Sequence, residues 1–195
     1  MYWPIEETML YKVAPLVANV HTENTLTATI MTNAYRKARK KIKDHVNAYK
    51  NDVLICCGTG MTGAMTKLQR ILGLRVPEQL KQYMELPITA RPVVFISHME
   101  HHSNHTSWLE TITELIIIPH TKQGLIDLDQ LEQLLQSYPD RQKMVSITAC
   151  SNVTGIETPY HKIAGVTHNH GGLCFVDFAA SAPYVDINMH PNNTE

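Results

Sequence analysis

The sequence predicts an α/β fold, a mainly parallel sheet with helices on both faces. Three observations carry that expectation. Short apolar runs recur without the polar alternation of a half-exposed strand. Between them lie segments with apolar residues at helical spacing. The residues just after the runs are rich in Gly, His, Asn and Asp, where open parallel sheets hold their ligands.

The first fifty residues read as helical. Residues 5–17 predict an amphipathic helix whose end is limited by Pro15, and residues 19–29, rich in Thr and Asn, predict a loop. Residues 32–49 predict a long helix with Ala34, Tyr35, Ala38, Ile42, His45 and Val46 along one face. Its basic run, 36–43, is interrupted by Ala38 and Ile42 and reads as a solvated helix face. Residues 53–57, Val-Leu-Ile-Cys-Cys, predict a first strand that stops in glycines, followed by a helix at 64–72. A second strand is expected at 93–96, then a helix capped by Ser103 or Asn104. A third strand, 115–118, stops at Pro119. The helix at 127–137 carries Leu128, Leu131, Leu134 and Leu135. Strands at 144–150 and 173–176 flank a helix at 159–169.

Composition excludes several classes. With 195 residues, 44% hydrophobic and 18% charged, the chain can bury a core and is far from a disordered profile. Lys+Arg 17 against Asp+Glu 18 gives a net charge of −1, so no basic excess points to nucleic acid. No apolar run is long enough for a bilayer, so no membrane partner is expected. The opening Met1-Tyr2-Trp3-Pro4 lacks a signal-peptide pattern, and a cytoplasmic location is expected. Cys56, Cys57, Cys150 and Cys174 form no C-x-x-C and are expected as reduced packing thiols in buried strands.

The candidate site lies at the strand ends. Gly58-Thr59-Gly60-Met61-Thr62-Gly63 opens a helix, where glycines let N–H groups approach an anion and the helix N-terminus adds positive potential. The string also matches G-x-G-x-x-G, the mark of an NAD(P)-binding Rossmann oxidoreductase. That reading needs a second strand soon afterwards ending in an acid, whereas 73–79 are polar and broken by Pro77. A plain strand-to-helix turn is the bland alternative. His98, His101, His102 and His105 offer metal-ligand spacings, but no cysteine pair or second cluster closes a site, and no metal is expected. His98 and His105 read as hydrogen-bonded loop residues. Asp177, beside Phe175, Val176 and Phe178, is either a cap for the next element or a carboxylate holding a protonated ring nitrogen. An anion cradle together with such a carboxylate suits pyridoxal phosphate.

These segments resemble the class V aminotransferase family of fold-type I pyridoxal-phosphate enzymes, especially cysteine desulfurases and selenocysteine lyases. Met99-Glu100-His101-His102-Ser103-Asn104 resembles its Glu-His-His-x-Asn segment, which implies that His101 stacks on the cofactor ring and takes part in proton transfer. Gly60-Met61-Thr62 resembles the Gly-x-Thr phosphate loop, which implies phosphate binding by Met61 and Thr62. Ser151-Asn152-Val153-Thr154-Gly155 is similar to the segment whose asparagine, here Asn152, approaches the phenolic oxygen. Val176-Asp177 is similar to the strand whose aspartate binds the pyridine nitrogen. The resemblance implies an amino-acid substrate and a homodimer in the full-length enzyme.

The pattern departs from the family at two places. Asp-x-x-Gln becomes Asp177-Phe178-Ala179-Ala180. The family's Schiff-base lysine, expected one strand beyond the aspartate, has no counterpart, because the last lysine is Lys162. The expectation is therefore an N-terminal helical segment, 1–50, and part of a cofactor-binding large domain, 51–195, without the small C-terminal domain. Such a chain would be inactive alone, as a fragment of a longer frame or a remnant that binds a homologue. In that partial fold the strand at 53–57 would lack a direct neighbour.

Overall fold

The computed structural model describes residues 2–84 and 86–191. The chain divides into two compact units, one made of residues up to Ile55 with the segment from Asp186, the other running from Cys56 to Val185. No helix among the described residues is long and apolar enough to cross a membrane.

In the first unit, α1 (Trp3–Thr8) continues through a π turn (Met9–Val13) into a 3-10 turn (Ala14–Leu16). Pro15 has no N–H and its ring crowds the carbonyl four residues back, so regular α pairing is lost in the turn before it. None of these residues is buried, and Trp3, Ile5, Leu10 and Tyr11 stand largely in solvent. Helix α2 (Leu26–His45) starts earlier than the composition suggested. Thr25 caps it, its Oγ1 accepting the Ala28 N–H at 3.2 Å, and Thr29 bonds back to the Thr25 carbonyl at 3.0 Å. The threonines that read as a loop are a cap and a first turn. The face is also shifted. Ala28 and Thr32 are buried and Tyr35, Arg39 and Lys43 half-buried, while Ala34, Ala38 and Ile42 are exposed. Arg39 lies over the Tyr35 ring, and Lys43 Nζ donates to the Lys50 and Asp52 carbonyls, so two cations of the basic run are half-buried. Past the helix, His190 stacks on Tyr49 at 3.6 Å between centroids, and its Nε2 lies 2.8 Å from Asp52 Oδ2. That imidazole, and then the Tyr49 N–H, hold the Asp52 carboxyl below its ordinary range.

The second unit is built on a four-stranded parallel sheet of β1 (Val93–Ile96), β2 (Glu114–Ile117), β3 (Lys143–Thr148) and β4 (Leu173–Asp177), in the order β2-β1-β3-β4. Helices α3 (Gly60–Ile71), α4 (Glu78–Lys81), α5 (His102–Leu109), α6 (Leu128–Gln136) and α7 (Tyr160–Asn169) accompany it. The order reverses direction between β1 and β3. The chain steps one way from β1 to β2 and the other way from β2 to β3 and β4. Parallel crossovers share one hand, so a reversal of direction must move the connecting helix to the opposite face. The core obeys this. Val93, Phe95, Val145 and Ile147 pack with Leu131 and Leu135 of α6 and Ile163 of α7. Val94, Ile96 and Met144 pack with Met65 of α3 and Trp108 of α5. Alternate residues of one strand thus feed opposite layers, which is why β1 is apolar throughout and β1 and β3 are both buried along their length.

The strand predicted at 53–57 does not form. Those residues have no ladder partner, Val53 and Ile55 are exposed, and so are Cys56 and Cys57. Apolarity suits a strand but does not supply the neighbour whose N–H and C=O groups make one. Cys56 and Cys57 are therefore not buried packing thiols. Cys174 is half-buried against the α6–α7 layer, and burial pushes its thiol pKa up to about 12.

Candidate functional site

The reversal between β1 and β3 leaves a crevice at their carboxyl ends, the usual ligand position in open α/β sheets. A cavity of about 340 Å³ lies here, lined by Met61, Thr62, His101, Ser103, Thr148, Asn152, Asp177, Ala179 and Ala180. Its size falls in the range of roughly 300–1,000 Å³ usual for small-molecule pockets. Five of the six residues singled out from the sequence, Met61, Thr62, His101, Asn152 and Asp177, share it, and Gly60 directly precedes the first.

The α3 end is shaped for an anion. Thr59 (φ 64°) and Gly60 (φ 63°) are both left-handed, turning the chain sharply into the helix. Thr59 offers no side-chain cap, and the first return bond is from the Gly63 N–H to the Thr59 carbonyl. The N–H groups of Gly60, Met61 and Thr62 thus have no helical acceptor and carry the positive end of a twelve-residue helix. A Cβ on Gly63 would collide with the Gly58 carbonyl oxygen, so the loop closes only on glycine.

His101 is held by the helix that follows it. Ser97 Oγ accepts the Met99 N–H at 3.1 Å, turning the chain at the end of β1. His101 then caps α5, its Nδ1 accepting the Ser103 N–H at 3.2 Å. The expected caps, Ser103 and Asn104, instead lie inside the helix, because His101 alone has the extended backbone a capping residue needs. With Nδ1 an acceptor, the neutral ring carries its proton on Nε2. Ser103 Oγ also touches Met61 Sδ at 3.5 Å, linking the starts of α5 and α3.

At the other side of the crevice, Asp177 ends β4. Its Oδ1 accepts the Ala179 N–H at 2.8 Å, and Oδ2 has no partner among the described residues. The cap and the ligand-facing readings thus use different oxygens of one carboxylate. Asn152 stands exposed on a tight turn whose Val153 and Thr154 N–H groups both bond Ser151 Oγ at 3.3 Å, with Gly155 left-handed behind it. The other histidines lie elsewhere. His98 packs on His120, and His102 and His105 sit on α5.

Sequence reasoning missed Thr148 and the role of Glu100. Thr148 is the last residue of β3 and pairs in register with Asp177, a position any strand end would nominate. Glu100, directly before His101, is half-buried, its carboxylate bonded by Ser97 Oγ, by Asn104 Nδ2 at 2.7 Å and by the Thr148 N–H at 2.9 Å. Burial pushes its pKa above the ordinary 4.5, the three hydrogen bonds oppose that, and the charge of Asp177 adds to it. The sequence marked it as the acid of the Glu-His-His segment, between a buried strand and a helix, but gave it no role.

The site residues fit pyridoxal phosphate in chemical kind: bare helix amides for a phosphate, a free carboxylate oxygen for a ring nitrogen, an imidazole and an amide between. They fit a dinucleotide less well. That fold needs the glycine loop to leave a paired strand, and residues 53–57 pair with nothing among the described residues.

Comparison with known proteins agrees with this geometry. The probable cysteine desulfurase of Halalkalibacterium halodurans is 30% identical over 176 residues, covering 88% of this chain and 40% of that protein. The apo structure of the cysteine desulfurase from Thermococcus onnurineus NA1 superposes with a TM-score of 0.71 at 20% identity, over 95% of this chain and 43% of that one. SspA in complex with cysteine gives a TM-score of 0.71 at 21% identity, over 95% and 49%. The chain therefore spans less than half the length of each of these relatives. The aminotransferase class-V profile matches residues 7–193, nearly the whole sequence, and the chain belongs to that family.

Proposed function

We propose that this chain holds pyridoxal phosphate in the crevice between β1 and β3 and contributes it to a cysteine-desulfurase-like reaction on cysteine or a related amino acid. The observation that carries the reading is the convergence of Met61, Thr62, His101, Asn152 and Asp177 on one cavity. Class V aminotransferases and cysteine desulfurases are in general pyridoxal-phosphate enzymes.

Bound pyridoxal phosphate supplies an electron sink for charge developing at the substrate Cα. The chain's own groups do the rest of the work assigned to this region. The Met61 and Thr62 amides and the Thr62 hydroxyl bind the phosphate, helped by the α3 dipole. Asp177 Oδ2 accepts from the ring nitrogen and keeps its proton in place. His101, locked by its Nδ1 bond, lies against the ring and holds a transferable proton on Nε2. Asn152 approaches the phenolic oxygen, without help from Ala180, which stands where the family carries a glutamine.

Among the described residues no lysine lines the cavity. We therefore expect reversible rather than covalent cofactor binding, and little or no turnover by this chain alone. A homodimer of the kind usual in the family belongs to the same proposal. The test is an absorbance titration with pyridoxal phosphate, followed by borohydride reduction and intact-mass measurement. Saturable binding that dialysis reverses, with no specific adduct after reduction, is expected. Absence of saturable binding, or robust lyase or transaminase turnover by the purified chain, would overturn the reading.

A further inference from the structure

We propose that Glu100 is a positioning residue: its carboxylate sets where His101 stands relative to Asp177, by tying the loop that carries His101 to the ends of β3 and α5. Three donors from three elements meet on this one side chain. Ser97 closes β1, Asn104 lies in the first turn of α5, and the Thr148 N–H ends β3.

Two of the three donors cannot be reversed. The Thr148 backbone N–H can only donate, so Glu100 Oε1 must accept. Asn104 is fully buried, and its orientation is fixed from behind. Its Oδ1 accepts the Trp108 indole N–H at 3.0 Å, a group that cannot accept, and the Ser146 hydroxyl at 2.8 Å. Its Nδ2 must therefore face Glu100, and Oε2 must accept as well. Only the Ser97 hydroxyl can turn round. An amide in place of the carboxylate would aim an NH₂ at one fixed donor whichever way it flipped. The network requires two acceptor oxygens at this point, which among side chains only a carboxylate supplies.

The consequence reaches the site through the Thr148 tie and through the chain itself. His101 is the next residue in the chain, Thr148 lines the cavity, and Thr148 is the ladder partner of Asp177. The network also extends to the last turn of α3. The Asn104 carbonyl accepts from Ser107 Oγ, which accepts from Gln69 Nε2 of α3 at 2.9 Å. Both Gln69 and Asn104 are completely buried, so this polar layer has no water to substitute for a lost bond. Glu100 has no cation among its partners; nothing but these donors pays for its burial.

The inference rests on the proposed cofactor reading only for its effect on binding, and the test separates the two. Glu100→Gln, Glu100→Asp and Ser97→Ala are compared with the wild-type chain by far-UV circular dichroism and by NMR of the Thr148 amide and His101 ring without ligand. Pyridoxal phosphate affinity and the visible circular dichroism of the bound cofactor follow. Glu100→Gln should fold, shift both sets of resonances, weaken pyridoxal phosphate on the order of tenfold, and flatten the cofactor signal. Glu100→Asp, which keeps two acceptor oxygens, should recover part of each change, and Ser97→Ala should move the resonances in the same direction by less. Folded Glu100→Gln with unmoved His101 resonances and unchanged affinity overturns the proposal, as does Glu100→Asp behaving no better than Glu100→Gln. If Glu100→Gln does not fold, unmoved resonances in Ser97→Ala overturn it. If the wild type binds no pyridoxal phosphate, the proposed function fails, while the resonances still decide the role of Glu100.

Discussion

The helical unit and the sheet unit place their apolar residues in opposite ways. Among the described residues every buried apolar side chain except Ala28 belongs to the unit from Cys56 to Val185. In the other unit Tyr2, Trp3, Ile5, Met9, Leu10, Tyr11, Val17 and Leu26 all stand more than half exposed. The two units also treat their acids differently. Asp52 is held by an imidazole, whereas Glu100 is held by neutral donors alone. The difference teaches where order comes from in each. The sheet unit is specified by packing and by a buried polar layer, the helical unit by caps and local pairs such as Thr25 with Ala28.

The sharpest way to break this contrast is to truncate one indole in each unit. Trp108, fully buried and donating to Asn104, should cost about 3–5 kcal/mol as Trp108→Ala. Trp3, 59% exposed, should cost no more than about 0.5 kcal/mol as Trp3→Ala. Urea unfolding followed by far-UV circular dichroism reads both, and similar costs would mean that the helical unit has a core of its own.

A smaller effect is expected at the glycine turn. Gly63→Ala must displace the Gly58 carbonyl, with a cost of about 1–3 kcal/mol and a weakened anion site. Thr25→Ala should cost about 1 kcal/mol and fray the first turn of α2, visible as faster amide exchange at Ala28 and Thr29. An unchanged exchange rate would show that something other than the cap holds that turn.

The smallest effects are the pH slopes, and they have opposite signs. Glu100 binds its proton more tightly folded than unfolded, so its contribution is full below 4.5 and is lost as pH rises through its raised folded value. Asp52 is the reverse: its contribution is present above 3.8 and is lost as pH falls through its lowered folded value. Thermal melts across the acid range should lose the falling slope above 4.5 in Glu100→Gln and the acid-side loss in Asp52→Asn. Slopes that survive both changes would assign the pH dependence to other groups.

The same contrast explains what could be read from the sequence. Residues 93–96 form a strand where the apolar run predicted one, because a central parallel strand buried on both faces needs nothing more than such a run. Residues 53–57 have the same grammar and form no strand, since pairing depends on a neighbour that the run itself does not encode. The face of α2 was misjudged because Arg39 and Lys43 count as polar in a pattern while their stems lie half-buried. At the site, residues with unusual chemistry at strand ends were legible, and Met61, Thr62, His101, Asn152 and Asp177 share one cavity. The role of Glu100, marked only as part of the Glu-His-His segment, was not, because it lies in which donors surround the carboxylate, and those come from positions 97, 104 and 148.

The central claim is that one ligand spans the crevice, with its phosphate on the amides of α3 and its ring nitrogen on Asp177. Calorimetric titration of pyridoxal phosphate, pyridoxal and inorganic phosphate into wild-type chain and Asp177→Ala tests it most directly. Pyridoxal phosphate is expected to bind the wild type more tightly than either fragment. Asp177→Ala should lose the ring's share while phosphate alone binds as before. Equal affinity of the wild type for pyridoxal phosphate and inorganic phosphate, or no effect of Asp177→Ala on pyridoxal phosphate, would contradict it.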